Sequence, residues 1–182
     1  MLIKTIFSGF GGQGVLMMGY ILALSSMRDG RQVTYLPSYG AEVRGGTANC
    51  TVSISDEDIA SPVASSPDYV IAMNKPSVIR YEGQIKPHGT LFINSDLIDI
   101  DVERKDIDVL KVPAISLAKK LGSERAMNMI MMGAVAAKTG ITSIDSLMNG
   151  LTEVVKKKDA RQMELNRKGL EMGAEYVLGE GA

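Results

Sequence analysis

The chain has 182 residues, of which 45% are hydrophobic and 23% are charged, as in a globular domain large enough to bury a core. The formal net charge of −1 provides no global basic field, so we expect no nucleic-acid partner. No apolar run approaches the roughly 18 residues that span a bilayer, and the first residues lack the cleavage pattern of a secretory signal. We therefore expect a cytoplasmic protein with no membrane partner.

The rare residue types narrow the possible chemistry. The single cysteine excludes an internal disulfide and a cluster held by several thiolates. The single histidine, His88, lies in a Pro-His-Gly turn, so we predict an exposed residue and no metal site. The 12 methionines favour flexible packing of the core, with an adaptable contact surface as the alternative.

The first elements follow a strand, turn, helix, strand order. Residues 2–8 are apolar and β-prone, which predicts the first strand. Helical periodicity begins at Val15 and ends at Gly30, because glycine stops a helix at low cost. Residues 32–36 predict the second strand. This order opens a doubly wound α/β sheet.

The middle of the chain predicts the rest of the sheet. Residues 48–55 alternate as a strand, and their short connection to the second strand predicts antiparallel pairing. Residues 68–73 form a continuous apolar run, typical of a buried central strand. Pro76 fits the first turn of the next helix. Residues 90–94 and 108–112 predict two further strands.

The C-terminal third is predicted to be helical. Residues 126–139 are rich in methionine and alanine, and Gly140 closes that helix. Thr142 is predicted to cap a helix that runs to about Lys157, and Asp159 to start the last one. One stripe of the last helix is predicted to face the core: Met163, Asn166, Leu170, Gly173, Ala174 and Val177.

Together these elements predict a three-layer α/β/α fold with a mixed, mostly parallel, Rossmann-like sheet and a helical C-terminal third. We predict a single domain over residues 1–182, with 143–178 as the C-terminal helices.

The first candidate site is the glycine turn after the first strand. Gly9, Gly11 and Gly14 fit the G-x-G-x-x-G spacing between a strand and a helix. Bare backbone N–H groups at the helix N-terminus can cradle a phosphate, and Gly12 extends the turn. A tight turn without a ligand is the alternative. Gln13 offers an amide to a ligand or to a neighbouring chain.

Dinucleotide binding has a further requirement that the sequence does not meet. An acid should end the second strand and hold the ribose, but that strand ends Leu36-Pro37-Ser38. This weakens an NAD site and leaves a free-standing nucleotide-binding module as an alternative.

The second candidate site is a glycine-rich loop that carries Tyr39, Glu42 and Arg44. Glu42 and Arg44 either pair with each other or leave the Arg44 fork free for a phosphate or carboxylate. Gly45 and Gly46 let the backbone pass close to a ligand or another chain. Tyr39 either contacts a partner or covers the loop.

Three further residues have two readings each. Asn74 and Asn128 each stand at the end of an element, where the amide either caps backbone or holds a ligand. Cys50 lies on a strand between apolar neighbours, which favours a buried, inert thiol over a redox role.

The two turns in this order, with the segments Gly9–Gly14, Tyr39–Cys50, Met73-Asn74 and Asn128–Ala134, carry a resemblance over the whole chain. The chain resembles the gamma subunit of 2-oxoacid:ferredoxin oxidoreductases. The resemblance is nearest to the 2-oxoglutarate type, with pyruvate, branched-chain 2-oxoacid and indolepyruvate enzymes as alternatives.

The resemblance implies one part of a larger enzyme. Alpha, beta and ferredoxin-like subunits would carry thiamine diphosphate, magnesium and iron–sulfur clusters, and electrons would pass on to ferredoxin. This chain would bind no cofactor alone, carry no catalytic residue alone, and help form the coenzyme A side of the site. The candidate coenzyme A or subunit contacts are Gly9, Gly11, Gly12, Gln13, Gly14, Tyr39, Glu42, Arg44, Gly45, Gly46, Asn74 and Asn128.

Overall fold

The computed structural model of the protein describes residues 1–39, 46–155 and 159–179. Its strands are β1 (Leu2–Phe10), β2 (Gln32–Tyr39), β3 (Thr47–Ser55), β4 (Tyr69–Ala72), β5 (Thr90–Asn94) and β6 (Asp108–Val112). Its helices are α1 (Val15–Arg28), α2 (Lys75–Tyr81), α3 (Ala114–Lys120), α4 (Met127–Thr139), α5 (Ile144–Val154) and α6 (Ala160–Gly179).

The strands form one mixed sheet in the order β2-β3-β1-β4-β5-β6. The β1, β4, β5 and β6 strands run parallel, whereas β3 is antiparallel to both β1 and β2. The antiparallel prediction for residues 48–55 is therefore confirmed, because a connection this short cannot return the chain for parallel pairing. The centre of the sheet lies at β1, between an antiparallel and a parallel neighbour.

The two faces of the sheet are covered unequally. Phe7 and Phe92 point into a large core shared with α1, α3, α4, α5 and α6. Ile6 and Leu91 point the other way, into a smaller core that α2 and the neighbouring loops cover. Successive residues of a strand face opposite sides, so each central strand supplies both cores. The three-layer α/β/α prediction is confirmed.

The helices α4 and α6 pack at unusually short range. Gly133 lies against the backbone carbonyl of Leu170, and Gly173 lies against that of Ile130. The methionines at 129, 131 and 132 are buried, in agreement with core packing. The predicted inward stripe of α6 is confirmed, since its members are buried or packed on the large core.

Several predicted boundaries need correction. The β1 strand continues through Gly9 to Phe10, and β2 continues to Tyr39, because both stay paired with β3. Thr142 is not the cap of α5: the Ser143 side chain accepts a hydrogen bond from the N–H of Ser146.

The helix ends differ in the same way. The α5 helix ends at Val154, before the predicted Lys157, because the next residue turns extended. Residues 156–158 lie outside the described residues. The Asp159 carboxylate accepts a hydrogen bond from the N–H of Arg161 at 3.0 Å, so its capping role is confirmed. No helix in the described ranges is long and apolar enough to cross a bilayer.

Candidate functional site

The first glycine turn adopts backbone conformations that favour glycine. Gly12 and Gly14 have φ angles of 95° and 77°, in the left-handed region. At Gly9, a Cβ atom would lie 2.5 Å from Gln13 Oε1 and 2.9 Å from Met73 Cβ. The motif therefore packs the chain tightly around the start of α1.

The Gln13 side chain fixes this turn from within. Its Oε1 atom accepts a hydrogen bond from the N–H of Phe10 at 2.6 Å, and its Nε2 atom donates to the carbonyl of Met73 at 3.0 Å. The amide predicted to serve a ligand or a neighbouring chain thus has both partners inside this chain. It ties the turn to the residue that follows β4.

Two helix N-termini meet beside the turn. Both α1 and α4 begin without a side-chain cap and without an acid in the first turn. The Asn128 Nδ2 atom lies 2.5 Å from the position that a Cβ on Gly14 would take, so the first turn of α4 covers the start of α1. The two macrodipoles add positive potential at the same place. Such a place favours an anion.

A cavity of about 300 Å³ opens at this junction. Among its lining residues, Arg125 forms no ion pair with any residue in the described ranges, whereas Glu124 pairs with Lys119 at 3.5 Å. Leu97 and Ile115 supply apolar walls. The lining is Gly12, Gln13, Gly14, Leu97, Ile115, Glu124, Arg125, Met127 and Asn128. We call it the anion cavity, since Arg125 and the N-terminal ends of α1 and α4 lie around it.

The second glycine turn returns to the first. The Gly11 N–H donates a hydrogen bond to the carbonyl of Gly46 at 2.9 Å. Tyr39 ends β2 opposite Ala48 in the register of β3. The residues from 40 to 45 lie outside the described residues, and with them Glu42, Arg44 and Gly45, so those candidate roles stay predictions. The structure therefore joins the two turns at their ends.

The chain is similar to known proteins over nearly its whole length. A family model described as pyruvate ferredoxin/flavodoxin oxidoreductase matches residues 4–176. The chain belongs to this family. It is 36% identical to ketoisovalerate oxidoreductase subunit VorA of Methanothermobacter marburgensis over 177 residues. This alignment covers 96% of the present chain and 36% of VorA. It thus spans about a third of the length of that relative.

Two other family members match over most of their own length. The chain is 38% identical over 144 residues to 2-oxoglutarate synthase subunit KorC of Methanothermobacter marburgensis, covering 75% of this chain and 77% of KorC. The solved gamma subunit of the keto/oxoacid ferredoxin oxidoreductase of Geobacter sulfurreducens is 30% identical, with a TM-score of 0.80. That match covers 97% of this chain and 99% of the solved one. The resemblance predicted from the two turns is confirmed.

Asn74 and Asn128 occupy different sides of this family member. Asn128 lines the anion cavity, and its Oδ1 atom accepts a hydrogen bond from the N–H of Met129 at 2.9 Å. Asn74 caps α2 by accepting from the Ser77 N–H at 3.0 Å, and it is buried near the smaller core. The Asn74 oxygen therefore caps α2, whereas its Nδ2 atom is buried without a hydrogen-bond partner in the described ranges. Of the two asparagines, Asn128 lies against Gly14.

Cys50 and His88 lie apart from the site. Burial raises the pKa of the Cys50 thiol to about 12, and its Sγ atom donates to the carbonyl of Val15 at 3.5 Å. This agrees with a buried, inert thiol. His88 is exposed in a turn with a φ angle of 64°. In the described ranges, no group of three or more His, Cys, Asp or Glu side chains could hold a metal ion.

Sequence reasoning missed several residues of the anion cavity. Arg125 precedes the methionine-rich helix without any motif, Leu97 comes from the loop after β5, and Ile115 comes from the start of α3. Asp96 supports this wall, since its carboxylate accepts hydrogen bonds from the N–H and hydroxyl of Ser116 at 2.7 and 2.6 Å. Burial raises the pKa of Asp96, but the bonds from Ser116 outweigh burial and leave the pKa below its ordinary value. The available signal in the sequence was Asp96, an acid that follows β5 and bonds to the first turn of α3.

Proposed function

We propose that the chain is the gamma-type subunit of a 2-oxoacid:ferredoxin oxidoreductase, folded as one domain over its whole length. Family membership and the match to a solved gamma subunit over 99% of that chain support this role. The observation that carries the proposal is the cavity that the first glycine turn forms with the start of α4, beside the Gly11–Gly46 hydrogen bond that joins the two turns. We infer that the chain forms one side of a ligand-binding site and that other subunits carry the redox groups.

The division of labour follows from the side chains. The one cysteine of the sequence is buried and its pKa is about 12, so it does not fit an iron–sulfur ligand. We assign the clusters, thiamine diphosphate and magnesium to alpha, beta and ferredoxin-like subunits. The chain's own contribution is to position and neutralise an anionic substrate, which is a large part of catalysis in a shared site.

The anionic substrate that we assign to this wall is coenzyme A. Its phosphates match the N–H groups of Gly12 and Gly14, the Asn128 amide and the Arg125 guanidinium in charge and in hydrogen-bonding type. Arg44, Glu42, Tyr39 and Gly45 remain proposed contacts from the second turn. When bound, coenzyme A would accept the acyl group left by oxidative decarboxylation of the 2-oxoacid.

The preferred 2-oxoacid is proposed to be 2-oxoglutarate, by resemblance. Pyruvate, branched-chain 2-oxoacids and indolepyruvate are the alternatives, because the relatives above are named for different substrates. We expect other subunits to select the acyl chain, because the cavity on this chain is assigned to the phosphates of coenzyme A and not to the 2-oxoacid. A dinucleotide module is disfavoured, because β2 ends without an acid at Pro37-Ser38-Tyr39.

Co-purification tests this proposal directly. When a tagged form of the chain is expressed together with the proteins encoded beside it in the genome, it should co-purify with thiamine-binding and cluster-bearing subunits. The complex should then reduce ferredoxin only with a 2-oxoacid and coenzyme A. A chain that purifies alone under these conditions and binds NAD or ATP tightly would instead support a free-standing nucleotide-binding module. Comparing the four classes of 2-oxoacid in the same assay identifies the substrate.

A further inference from the structure

The apolar wall of the anion cavity comes from two separate segments of the chain. Leu97 lies in the loop after β5, and Ile115 lies in the first turn of α3. Each of them is the direct neighbour of one member of a hydrogen-bonded pair, because Asp96 precedes Leu97 and Ser116 follows Ile115. The Asp96–Ser116 pair therefore stands beside both halves of this wall.

Both carboxylate oxygens of Asp96 take part in this pair. Oδ2 accepts from the N–H of Ser116 at 2.7 Å, and Oδ1 accepts from its hydroxyl at 2.6 Å. Two parallel bonds to one residue fix the orientation of the carboxylate as well as its distance. One backbone hydrogen bond, from the Ser95 N–H to the Val112 carbonyl at 3.0 Å, joins the two segments at the strand ends. The Asp96–Ser116 bonds join them again next to the cavity wall.

Packing alone does not fix the two wall residues. Among the described residues, neither Leu97 nor Ile115 belongs to either core, and Leu97 is 47% exposed. Their segments are also anchored on opposite faces of the sheet, since Ile98 is buried in the smaller core and Leu117 in the large one. The separation between Leu97 and Ile115 therefore depends on the hydrogen bonds that join the two segments.

We propose that Asp96 is a positioning residue for the anion cavity, which holds Leu97 and Ile115 in place through Ser116 and so sets the width of the cavity for coenzyme A. The residue before α3, Pro113, provides no side-chain cap, and the first turn of α3 contains no acid. Asp96 thus supplies from another loop the acceptor that an N-cap residue usually supplies. This inference rests on the proposed function.

Two substitutions of Asp96 in the assembled complex test the inference. Asp96→Ala removes both acceptors and should raise the KM for coenzyme A about tenfold, because a misplacement of about 1 Å costs up to about 100-fold. The kcat and the KM for the 2-oxoacid should stay unchanged. Asp96→Asn keeps the shape: its amide oxygen accepts from the Ser116 N–H, and its amide N–H donates to the Ser116 hydroxyl. We expect this variant to restore the wild-type KM for coenzyme A.

A cap removed elsewhere is the matched control. Ser143→Ala takes the side-chain acceptor from the first turn of α5, which does not line the anion cavity. It should lower the melting temperature by an amount similar to Asp96→Ala and leave the KM for coenzyme A unchanged. An equal rise of this KM in both variants would reduce the effect to general destabilisation and overturn the inference. An unchanged KM in Asp96→Ala, or an equal rise in Asp96→Asn, would overturn it as well.

Arg125→Ala in the same assay separates this inference from the proposed function. If Arg125→Ala raises the KM for coenzyme A and Asp96→Ala does not, the positioning role is wrong while the proposed function stands. If the chain co-purifies with no partner subunit, or if neither variant changes this KM, the proposed use of the cavity is wrong and the inference fails with it. A raised KM in both variants with unchanged kcat in Asp96→Ala supports both.

Discussion

At the scale of single residues, the site depends on groups that are fixed inside the chain. Gln13 shows this best, because its amide joins the end of β1 to the residue after β4 and so shapes the turn that faces the anion cavity. Gly12 and Gly14 add conformations that other residues reach only under strain. The candidate contacts of the turn are therefore held in place by hydrogen bonds within the chain.

Replacing Gln13 by leucine should destabilise the fold and the turn together. The change leaves the Phe10 N–H and the Met73 carbonyl without their partners, and such a loss costs about 1–3 kcal/mol. Urea denaturation measures the free energy of unfolding. Gln84→Leu, whose exposed amide bonds only to the carbonyl of Arg80, is the matched control and should change stability by less than about 0.5 kcal/mol. Equal effects in the two variants would contradict the role of Gln13.

The buried thiol should make stability depend on pH in the alkaline range. The pKa of Cys50 is about 12 in the folded protein and 9.0 for an ordinary thiol, so the unfolded chain loses this proton first. The stabilisation is therefore complete below pH 9 and declines between pH 9 and 12, by up to about 1.4 kcal/mol per pH unit. Unfolding curves of wild type and Cys50→Ala over this range isolate the difference. Parallel pH profiles would show that the thiol does not contribute.

At the scale of elements, helix starts and close helix contacts decide the geometry of the site. The residues that precede α1 and α4 provide no side-chain cap, whereas Asn74 caps α2 and Ser143 caps α5. The starts of α1 and α4 meet at the anion cavity. A helix that begins without a side-chain cap is less stable than a capped one, and a bound anion can supply the missing hydrogen-bond acceptors.

The cap of α5 is a direct test of how the structure corrects the sequence. Ser143→Ala removes the acceptor for the Ser146 N–H and should cost about 1 kcal/mol of stability. Thr142→Ala removes the cap that the sequence predicts, but its hydroxyl only donates to the carbonyl of Ser143 at 3.5 Å. We expect a smaller loss there, measured by thermal or urea unfolding. A larger loss for Thr142→Ala would restore the sequence-based boundary.

The packing of α6 on α4 should be intolerant of a single methyl group. At Gly173, an added Cβ would collide with the backbone carbonyl of Ile130, which cannot move as a side chain can. Gly173→Ala should therefore destabilise the protein by about 1–3 kcal/mol or more, as overpacking does. Gly179→Ala in the same helix meets nothing within 4 Å and should be neutral or slightly stabilising. A neutral Gly173→Ala would mean that the helices can separate.

At the scale of the whole molecule, the sheet brings distant segments to one edge. The anion cavity draws on the turn after β1, the loop after β5, and the starts of α3 and α4. Ligands of open α/β sheets bind at this carboxyl edge, where neighbouring connections diverge. The shape of the proposed site is thus a property of the topology.

Arg125 should affect coenzyme A use in the assembled enzyme. Removing a charged hydrogen-bond donor to a phosphate costs about 1.5–3 kcal/mol, so Arg125→Ala should raise the KM for coenzyme A about tenfold or more. The 2-oxoacid KM should stay unchanged, which steady-state assays of the complex measure. Arg161→Ala, at an exposed arginine of α6 that does not line the anion cavity, is the matched control. An unchanged KM in Arg125→Ala would remove Arg125 from the proposed site.

The sequence by itself determined the local structure and the family. The Gly140 stop, the strand of residues 90–94 and the antiparallel strand of residues 48–55 all follow from short-range periodicity, turn chemistry or connection length. The two glycine turns also carried the resemblance that the comparisons confirm.

Only the tertiary structure decided which of those residues act together. Asn128 and Asn74 both stand at the ends of elements. In the structure, Asn128 lies against Gly14, whereas Asn74 caps α2 on the other face of the sheet. The tertiary structure also brought Arg125, Leu97 and Ile115 to the anion cavity, and no local pattern marks these residues. The physical reason is distance along the chain: helix caps and turns depend on neighbours within a few residues, whereas a cavity depends on side chains that only the packing of helices on a sheet brings together.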